Sequence, residues 1–319
     1  MKPFTAAVVQ TASIAFDPKH TIEKTADFVG RAAATDAKLV VFPEAFVGGY
    51  PKGLDFGARI GSRTTAGREA FRMYYDGAIE VPGEHTMRLA EIAAAHRTHL
   101  VIGVIERASG TLYCTVLFFA PDGAFLGKHR KLMPTAAERL VWGFGDGSTL
   151  AAFDTPLGKI GAVICWENYM PMLRMAMYAK GVTLYCAPTA DDRETWLSSM
   201  RHVALEGRCF VLSACQFARR RDYPADYPID GDPAPDVVLM RGGSCIIGPL
   251  GQILAQPRFD EDAILTAEID PGQIAGGKYD FDVVGHYARP DVFQLRVNEH
   301  AQTAVRINDE PVTRYPRVD

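Results

Sequence analysis

Long apolar runs are missing from this sequence. No window reaches the ~20 consecutive apolar residues that a membrane-spanning helix needs, so a bilayer protein is not expected. The opening residues, MKPFTAAVVQ, contain no extended apolar segment either. They read as the start of a strand rather than as a secretion signal. An excess of either charge is missing too: the formal net charge is −4 and the pI is near 6.1. Neither nucleic acid nor an anionic membrane would find an electrostatic footprint here. The spacings CxxC and HExxH, which announce metal sites, do not occur. A G-x-S-x-G nucleophile elbow is absent. The glycine strings at 143–147 and 242–243 do not form G-x-G-x-x-G after a strand. Serine hydrolases, metalloenzymes and dinucleotide-binding modules all lose support, and no metal or cofactor is expected. No fixed-period repeat appears.

The chain has 319 residues, 48% hydrophobic and 23% charged, with six cysteines. That is the composition of a soluble globular protein large enough for one sizeable domain or two smaller ones. Five of the cysteines (Cys114, Cys186, Cys209, Cys215 and Cys245) lie inside apolar strings such as LYCTVLFF and RCFVLSACQF. That is the setting of reduced, buried thiols behaving as small hydrophobes. A reducing, cytoplasmic location is therefore expected. The basic run Arg219–Arg220–Arg221 is followed at once by Asp222, Asp226, Asp230 and Asp232. It reads as a solvated loop, with phosphate binding a weaker alternative.

Along the chain, strands alternate with helices. AAVVQ, KLVVFPE and HLVIGVIER read as buried strands, separated by helical periodicity over 21–36 and 85–97. LYCTVLFFAPDGAFLGKH is a strand, a Pro-Asp-Gly turn and a return strand. The pattern then repeats: strand KIGAVIC, a helix over 170–180 closed by Gly181, strand TLYCAPT, a helix over 192–207, and strand CFVLSACQF. A hairpin, GGSCIIGPLGQIL, and a last strand, ILTAEID, follow, whereas 218–242 reads as a long surface loop. This predicts an α/β fold in a single domain with two strand-rich halves over residues 1–300, and a tail over 301–319.

Three polar residues sit where strands end, which is where a sheet presents side chains to a cleft. Cys165 follows a buried strand and precedes a helix, so the helix dipole should favour its thiolate. Its neighbours Trp166, Glu167 and Asn168 make the turn polar, although a sixth structural cysteine is the alternative. Glu44 follows an apolar strand, so burial should raise its pKa and suit it to general-base work; a solvated strand-end glutamate is the alternative. Lys131 lies in the string Lys128–His129–Arg130–Lys131 and could stabilise developing negative charge, or belong to a solvated basic face. Glu138, seven residues on, could orient that lysine or pair with Arg139. Tyr50 and Trp166, beside these positions, are candidate substrate-pocket residues, with plain core packing as the alternative. A cysteine–histidine protease would need His129, His202 or His286 as partner, and would leave the lysine and glutamate strings unexplained.

The strings FPEAFVGGYP, HRKLMPTAAERLVWGFGDGS and CWENYMPMLR resemble the three signature blocks of the nitrilase branch of the carbon-nitrogen hydrolase superfamily. The resemblance continues through LYCAPTADDRETW, RGGSCIIGPLGQIL and VGHYARPDV, covers nearly the whole chain, and is greatest toward plant-type nitrilases acting on β-cyanoalanine. It implies a four-layer α-β-β-α sandwich in which Glu44, Lys131 and Cys165 are catalytic and Glu138 assists. It also implies hydrolysis of a nitrile, β-cyanoalanine or a broader aliphatic or aromatic set, to acid and ammonia through a Cys165 thioimidate, with an amide as side product. A homodimer built through the outer helices, and helical filaments of such dimers, are implied as well. A cyanide hydratase or amidase of the same superfamily is the nearest alternative. A non-catalytic assembly protein is the alternative of another class.

Overall fold

Asp17 and Pro18 start the first helix earlier than its apolar periodicity suggests. The Asp17 carboxylate accepts from the backbone N–H of His20 at 3.0 Å, and Pro18 occupies the first helical position, where a missing N–H costs nothing. The helix therefore runs 18–33 rather than 21–36. The computed structural model describes residues 2–229, 231, 233–303 and 305. Of the tail expected over 301–319, only 301–303 and 305 fall among these residues.

In chain order the first half contains β1 (Phe4–Gln10), α1 (Pro18–Ala33), β2 (Ala37–Val41), α2 (Thr65–Asp76), α3 (Glu84–His96), β3 (His99–Ala108), β4 (Thr111–Phe119) and β5 (Phe125–Arg130). The second half contains β6 (Ala152–Thr155), β7 (Gly158–Ala162), α4 (Pro171–Ala179), β8 (Leu184–Cys186), α5 (Glu194–Gly207) and β9 (Phe210–Ser213). After it come β10 (Phe217–Arg219), β11 (Val238–Arg241), β12 (Cys245–Ile247), β13 (Ile253–Ala255), β14 (Ala263–Ile269) and α6 (Gly272–Gly277). One six-stranded sheet has the order β14-β1-β2-β3-β4-β5 and the other β13-β12-β9-β8-β7-β6. In each, three parallel strands form the centre and antiparallel strands flank them.

Side-chain alternation along the strands explains the layering. Ala6 and Val8 of β1 face a central core with Leu39, Ile160, Leu184 and Phe210, so the two sheets pack face to face. Ala7 and Val9 point the other way, against Ile22, Phe28 and Val29 of α1 and Leu89 and Ile92 of α3. On the far side, Tyr185 and Val211 of the second sheet pack on Leu173 and Met177 of α4 and Trp196 and Met200 of α5. The result is a four-layer α-β-β-α sandwich. Each strand buried on both faces is nearly all apolar, which is why those segments show continuous runs rather than alternation.

Two departures from the sequence reading matter. Residues 65–76, to which no element was assigned, form α2, capped by Thr64, whose hydroxyl accepts from Gly67 N–H at 2.9 Å. The stretch 218–242 is not simply a surface loop. β10 pairs antiparallel with β11, and Tyr223, Tyr227 and Met240 bury against Ala12, Ala15 and Ala218. Arg220, expected in solvent, is 6% exposed and donates to the carbonyls of Pro224 (2.9 Å), Ala225 (2.9 Å) and Tyr227 (3.1 Å). A guanidinium with five donors can hold together a chain turn that has few backbone bonds of its own.

Candidate active site

The chain leaves β2 at Val41, and Pro43 then prevents the strand from continuing. The turn that follows presents Glu44 to the seam between the sheets, where it is fully buried. Gly103 of β3 makes the turn possible: a Cβ there would lie 2.3 Å from the Pro43 oxygen and 2.8 Å from the Glu44 Cα. The Gly103 carbonyl accepts from the N–H groups of Phe46 (2.9 Å) and Val47 (3.1 Å), and Gln216 Nε2 donates to the Glu44 carbonyl at 3.0 Å.

Lys131 follows β5 directly and is also fully buried, not part of a solvated basic face. Its N–H donates to the Cys114 carbonyl at 2.8 Å, which fixes the side chain's point of entry. The ammonium donates to Glu44 Oε1 at 2.6 Å and Glu138 Oε2 at 2.7 Å, and lies 5.3 Å from the centre of the Trp142 ring. Glu138 is shaped for this contact by a tight turn over Ala136–Leu140. The same Oε2 accepts from Thr135 N–H at 2.6 Å, and Oε1 accepts from the Tyr50 hydroxyl at 2.8 Å. Arg139, the alternative partner for Glu138, instead donates to the Pro134 carbonyl.

Cys165 lies three residues beyond the end of β7, with φ at +49°. A non-glycine residue held in the left-handed region costs about 1–3 kcal/mol. Here the turn is fixed by the Cys165 N–H donating to the Pro188 carbonyl at 2.8 Å, and by Asn168 Nδ2 donating to the carbonyls of Val163 and Cys165 at 2.9 and 2.8 Å. The residue starts a short 3₁₀ turn, Cys165–Tyr169, and α4 begins only at Pro171. The expected placement at a helix N-terminus is therefore not what the structure has: the thiol precedes the first residue of α4 by six positions. Burial and the nearby Glu44 carboxylate push the thiol up instead of down.

A second buried pair links the two halves. Glu167 Oε1 accepts from Leu132 N–H at 2.6 Å, and Oε2 accepts from Ile164 N–H at 2.9 Å. One carboxylate thus fastens the residue after Lys131 to the residue before Cys165. His129 Nε2 meets Glu167 Oε2 at 3.1 Å, and its Nδ1 meets the Thr149 carbonyl at 3.2 Å. His129 is therefore committed to this strut rather than to the sulfur. His202 stands beside Glu206, and His286 packs against Tyr287, so none of the three candidate histidines serves the thiol.

Burial raises Glu44 above the ordinary carboxylate range; Lys131 opposes that shift and Glu138 adds to it. Burial also disfavours the Lys131 ammonium, but Glu44, the Cys165 and Cys114 thiols and Glu138 more than reverse this, holding it well above the usual lysine value. Among the described residues Glu44 Oε2 makes no hydrogen bond, which leaves one oxygen free to exchange a proton. Cys114 Sγ stands 3.5 Å from Glu44 Oε1, so this thiol belongs to the polar centre and not solely to an apolar run.

The cleft over this group measures about 190 Å³ and is lined by Tyr50, Thr135, Glu138, Cys165, Trp166 and Arg193 among others. Tyr50 and Trp166 thus reach the same hollow. The Trp166 indole N–H donates to Asp191 Oδ2 at 2.8 Å, and the Arg193 guanidinium covers the ring at 4.8 Å from its centre. Thr189 and Asp191 were not picked out from the sequence, which also read Cys114 as a structural thiol and gave no sign that His129 and Glu167 pair. The available hint was the polar string TADD directly after the buried strand LYCAP. Among the described residues no cluster of three His, Cys, Asp or Glu side chains could hold a metal, and no helix is long and apolar enough to cross a membrane.

A two-sheet sandwich with a thiol, an ammonium and two carboxylates at its seam defines a class, and the chain belongs to the carbon-nitrogen hydrolase family, whose model matches residues 5–279. Its relatives narrow this to the nitrilase branch. It is 58% identical over 305 residues to an aliphatic nitrilase of Sinorhizobium fredii (strain HH103), covering 96% of this chain and 99% of that protein. It is 57% identical over 304 residues to a bifunctional nitrilase/nitrile hydratase of Nicotiana tabacum, covering 94% and 87%. The solved structure of a carbon-nitrogen hydrolase from Helicobacter pylori G27 shares the fold with a TM-score of 0.72 at 22% identity, over 91% of this chain and 97% of that one.

Proposed function

We propose that the protein is a nitrilase that converts an organic nitrile to a carboxylic acid and ammonia, with Cys165 as nucleophile. The observation that carries this reading is the buried Lys131 ammonium, held between Glu44 and Glu138 beside the Cys165 cleft, with three separate segments meeting at one point. Relatives more than half identical over nearly the whole chain are named nitrilases, which supports the same reaction here.

Glu44 takes the proton of the Cys165 thiol, and the sulfur bonds to the nitrile carbon. Glu44 passes that proton on to the nitrogen as the triple bond becomes C=NH, which leaves a thioimidate and an ionised Glu44. Water then adds to the carbon with Glu44 accepting its proton. Breaking the C–N bond, with that proton and the proton of the new hydroxyl both delivered to nitrogen, releases ammonia and leaves a thioester. A second water splits the thioester into acid and free thiol. Lys131 and the backbone N–H after Cys165 face the charge that develops at each addition. If the C–S bond breaks first, the product is an amide, and tenfold partition corresponds to about 1.4 kcal/mol. Tyr50 and Trp166 form walls of the substrate pocket. The nitrile is a small one, β-cyanoalanine or another aliphatic or aromatic nitrile, and no cofactor or metal takes part. The working unit is one domain over 1–300, in a cytoplasmic homodimer that extends into helical assemblies.

Intact-protein mass spectrometry during turnover of a nitrile panel that includes β-cyanoalanine tests this, with acid, amide and ammonia quantified. Wild type should carry a thioimidate or thioester mass and release ammonia; Cys165→Ala should do neither. Consumption of a matching amide with no adduct or ammonia from any nitrile would show an amidase instead. Amide as sole product from cyanide would show a cyanide hydratase.

A further inference from the structure

The Thr189 side chain lies just beyond β8, completely buried, against the proposed nucleophile. Its Oγ1 stands 3.2 Å from Cys165 Sγ. The loop that carries it is docked at both ends: Thr189 N–H donates to the Ala214 carbonyl at 2.9 Å, and the Pro188 carbonyl accepts from Cys165 N–H at 2.8 Å. A threonine hydroxyl has one proton and two acceptor positions. Asp191 N–H donates to Oγ1 at 2.9 Å, which fills one acceptor position. The same Asp191 carboxylate holds the Trp166 indole and the Arg193 guanidinium, so the amide that orients the hydroxyl is itself anchored. With an N–H pointing into the oxygen, the hydroxyl proton is left to face the sulfur.

We propose that Thr189 is a further catalytic residue, whose hydroxyl donates a hydrogen bond to the Cys165 sulfur and stabilises it as its proton leaves. The contact is worth most when the sulfur carries charge, because hydrogen bonds to ionised acceptors are shorter and stronger than neutral ones. It is weaker in the neutral resting thiol, so it lowers the cost of deprotonating the sulfur for attack. This offsets part of what burial and Glu44 do to the thiol; the Thr189 hydroxyl and the Ala190 backbone both act to bring it down. The inference deepens the nitrilase reading and rests on it only for the identity of the electrophile.

Alkylation of Cys165 by iodoacetamide as a function of pH tests the contact without any nitrile, followed by mass mapping of the modified residue. The titratable groups acting on the sulfur are Glu44 and Lys131, with Tyr50, Arg193 and Cys215 around them, and the substitutions leave all of these in place. Thr189→Val, which keeps the shape, and Thr189→Ala should each slow alkylation at neutral pH by about ten- to a hundred-fold. Each should also move the pH profile upward, and Thr189→Ser should recover most of the rate. In nitrile turnover, the single-turnover rate of adduct formation should fall by a similar factor while adduct breakdown changes less. An unchanged profile in either folded variant, or a serine variant as slow as valine, overturns the proposal. Wild type that alkylates in a Thr189-dependent way yet hydrolyses no nitrile would leave the contact standing and remove the nitrilase reading.

Discussion

Cys165 and Glu44 share a problem of charge. Both are buried, and burial raises both the thiol and the carboxylate. A resting thiolate, as expected from a helix N-terminus, is therefore not the state this site favours. The nucleophile is made when substrate arrives, by transfer of its proton to Glu44. This gives a pH prediction with a definite sign. The working base is the ionised Glu44, so kcat/KM should fall as pH drops through its pKa. Because that pKa is raised, the acid limb should lie above 4.5, the ordinary value for a glutamate. Lys131 is held well above 10.5, so loss of its proton should not limit activity near neutrality. A pH–rate profile with its acid limb at or below 4.5 would remove Glu44 from the base role. At this scale the sequence was informative about identity and poor on environment. The strings around Glu44, Lys131, Glu138 and Cys165 are long and specific. That Lys131 is buried while Lys128 of the same string is partly exposed beside Glu106 depends on where β5 ends, which no local pattern states.

The elements place these residues through contacts between distant segments. Gly103 sits mid-strand in β3, where a glycine ordinarily weakens the strand. Its reason is the Glu44 turn, whose backbone runs too close for any side chain. Gly103→Ala should force the turn outward, at an overpacking cost of about 1–3 kcal/mol, and shift the Glu44 carboxylate away from Lys131. The expected result is a lower melting temperature together with a fall in kcat of at least about tenfold, since small misplacements of reacting groups carry large rate penalties. Kinetics and thermal melts on the same preparation check this; a destabilised variant with wild-type kcat would show that the turn tolerates the shift. The Glu167 carboxylate illustrates why such features escape a sequence reading. CWEN places it two residues after the nucleophile, but nothing in that spacing says that it reaches Leu132 on the opposite half. Periodicity served the long helices and the strands buried on both faces well. It served 218–242 poorly, because there short strands, three tyrosine or methionine anchors and one buried arginine replace regular apolar repeats.

At the scale of the molecule, the first sheet supplies Glu44 and Lys131 and the second supplies Cys165 and Thr189, so the seam between the sheets is where the site exists. The helices on either side insulate it and leave their outer faces for other contacts. On the second-sheet side, α4 exposes Met172 at 72% and α5 exposes Leu205 at 40%, next to the polar residues Arg201 and His202. An exposed methionine and leucine on neighbouring helices are a small apolar area, ordinary for a surface if taken singly. They acquire meaning if the proposed dimer packs these helices together, because a two-fold interface presents each residue twice. Light scattering on purified protein should then give twice the chain mass of 34.9 kDa or a multiple of it. Met172→Glu combined with Leu205→Glu should move that mass toward the monomer, since four new carboxylates would be buried without partners. Neither residue touches the seam, so any loss of activity on dissociation would report that pairing supports the cleft through Cys165–Tyr169 and α4, which adjoin directly. A wild-type monomer, or a double variant that stays dimeric, would place the subunit contact on another face.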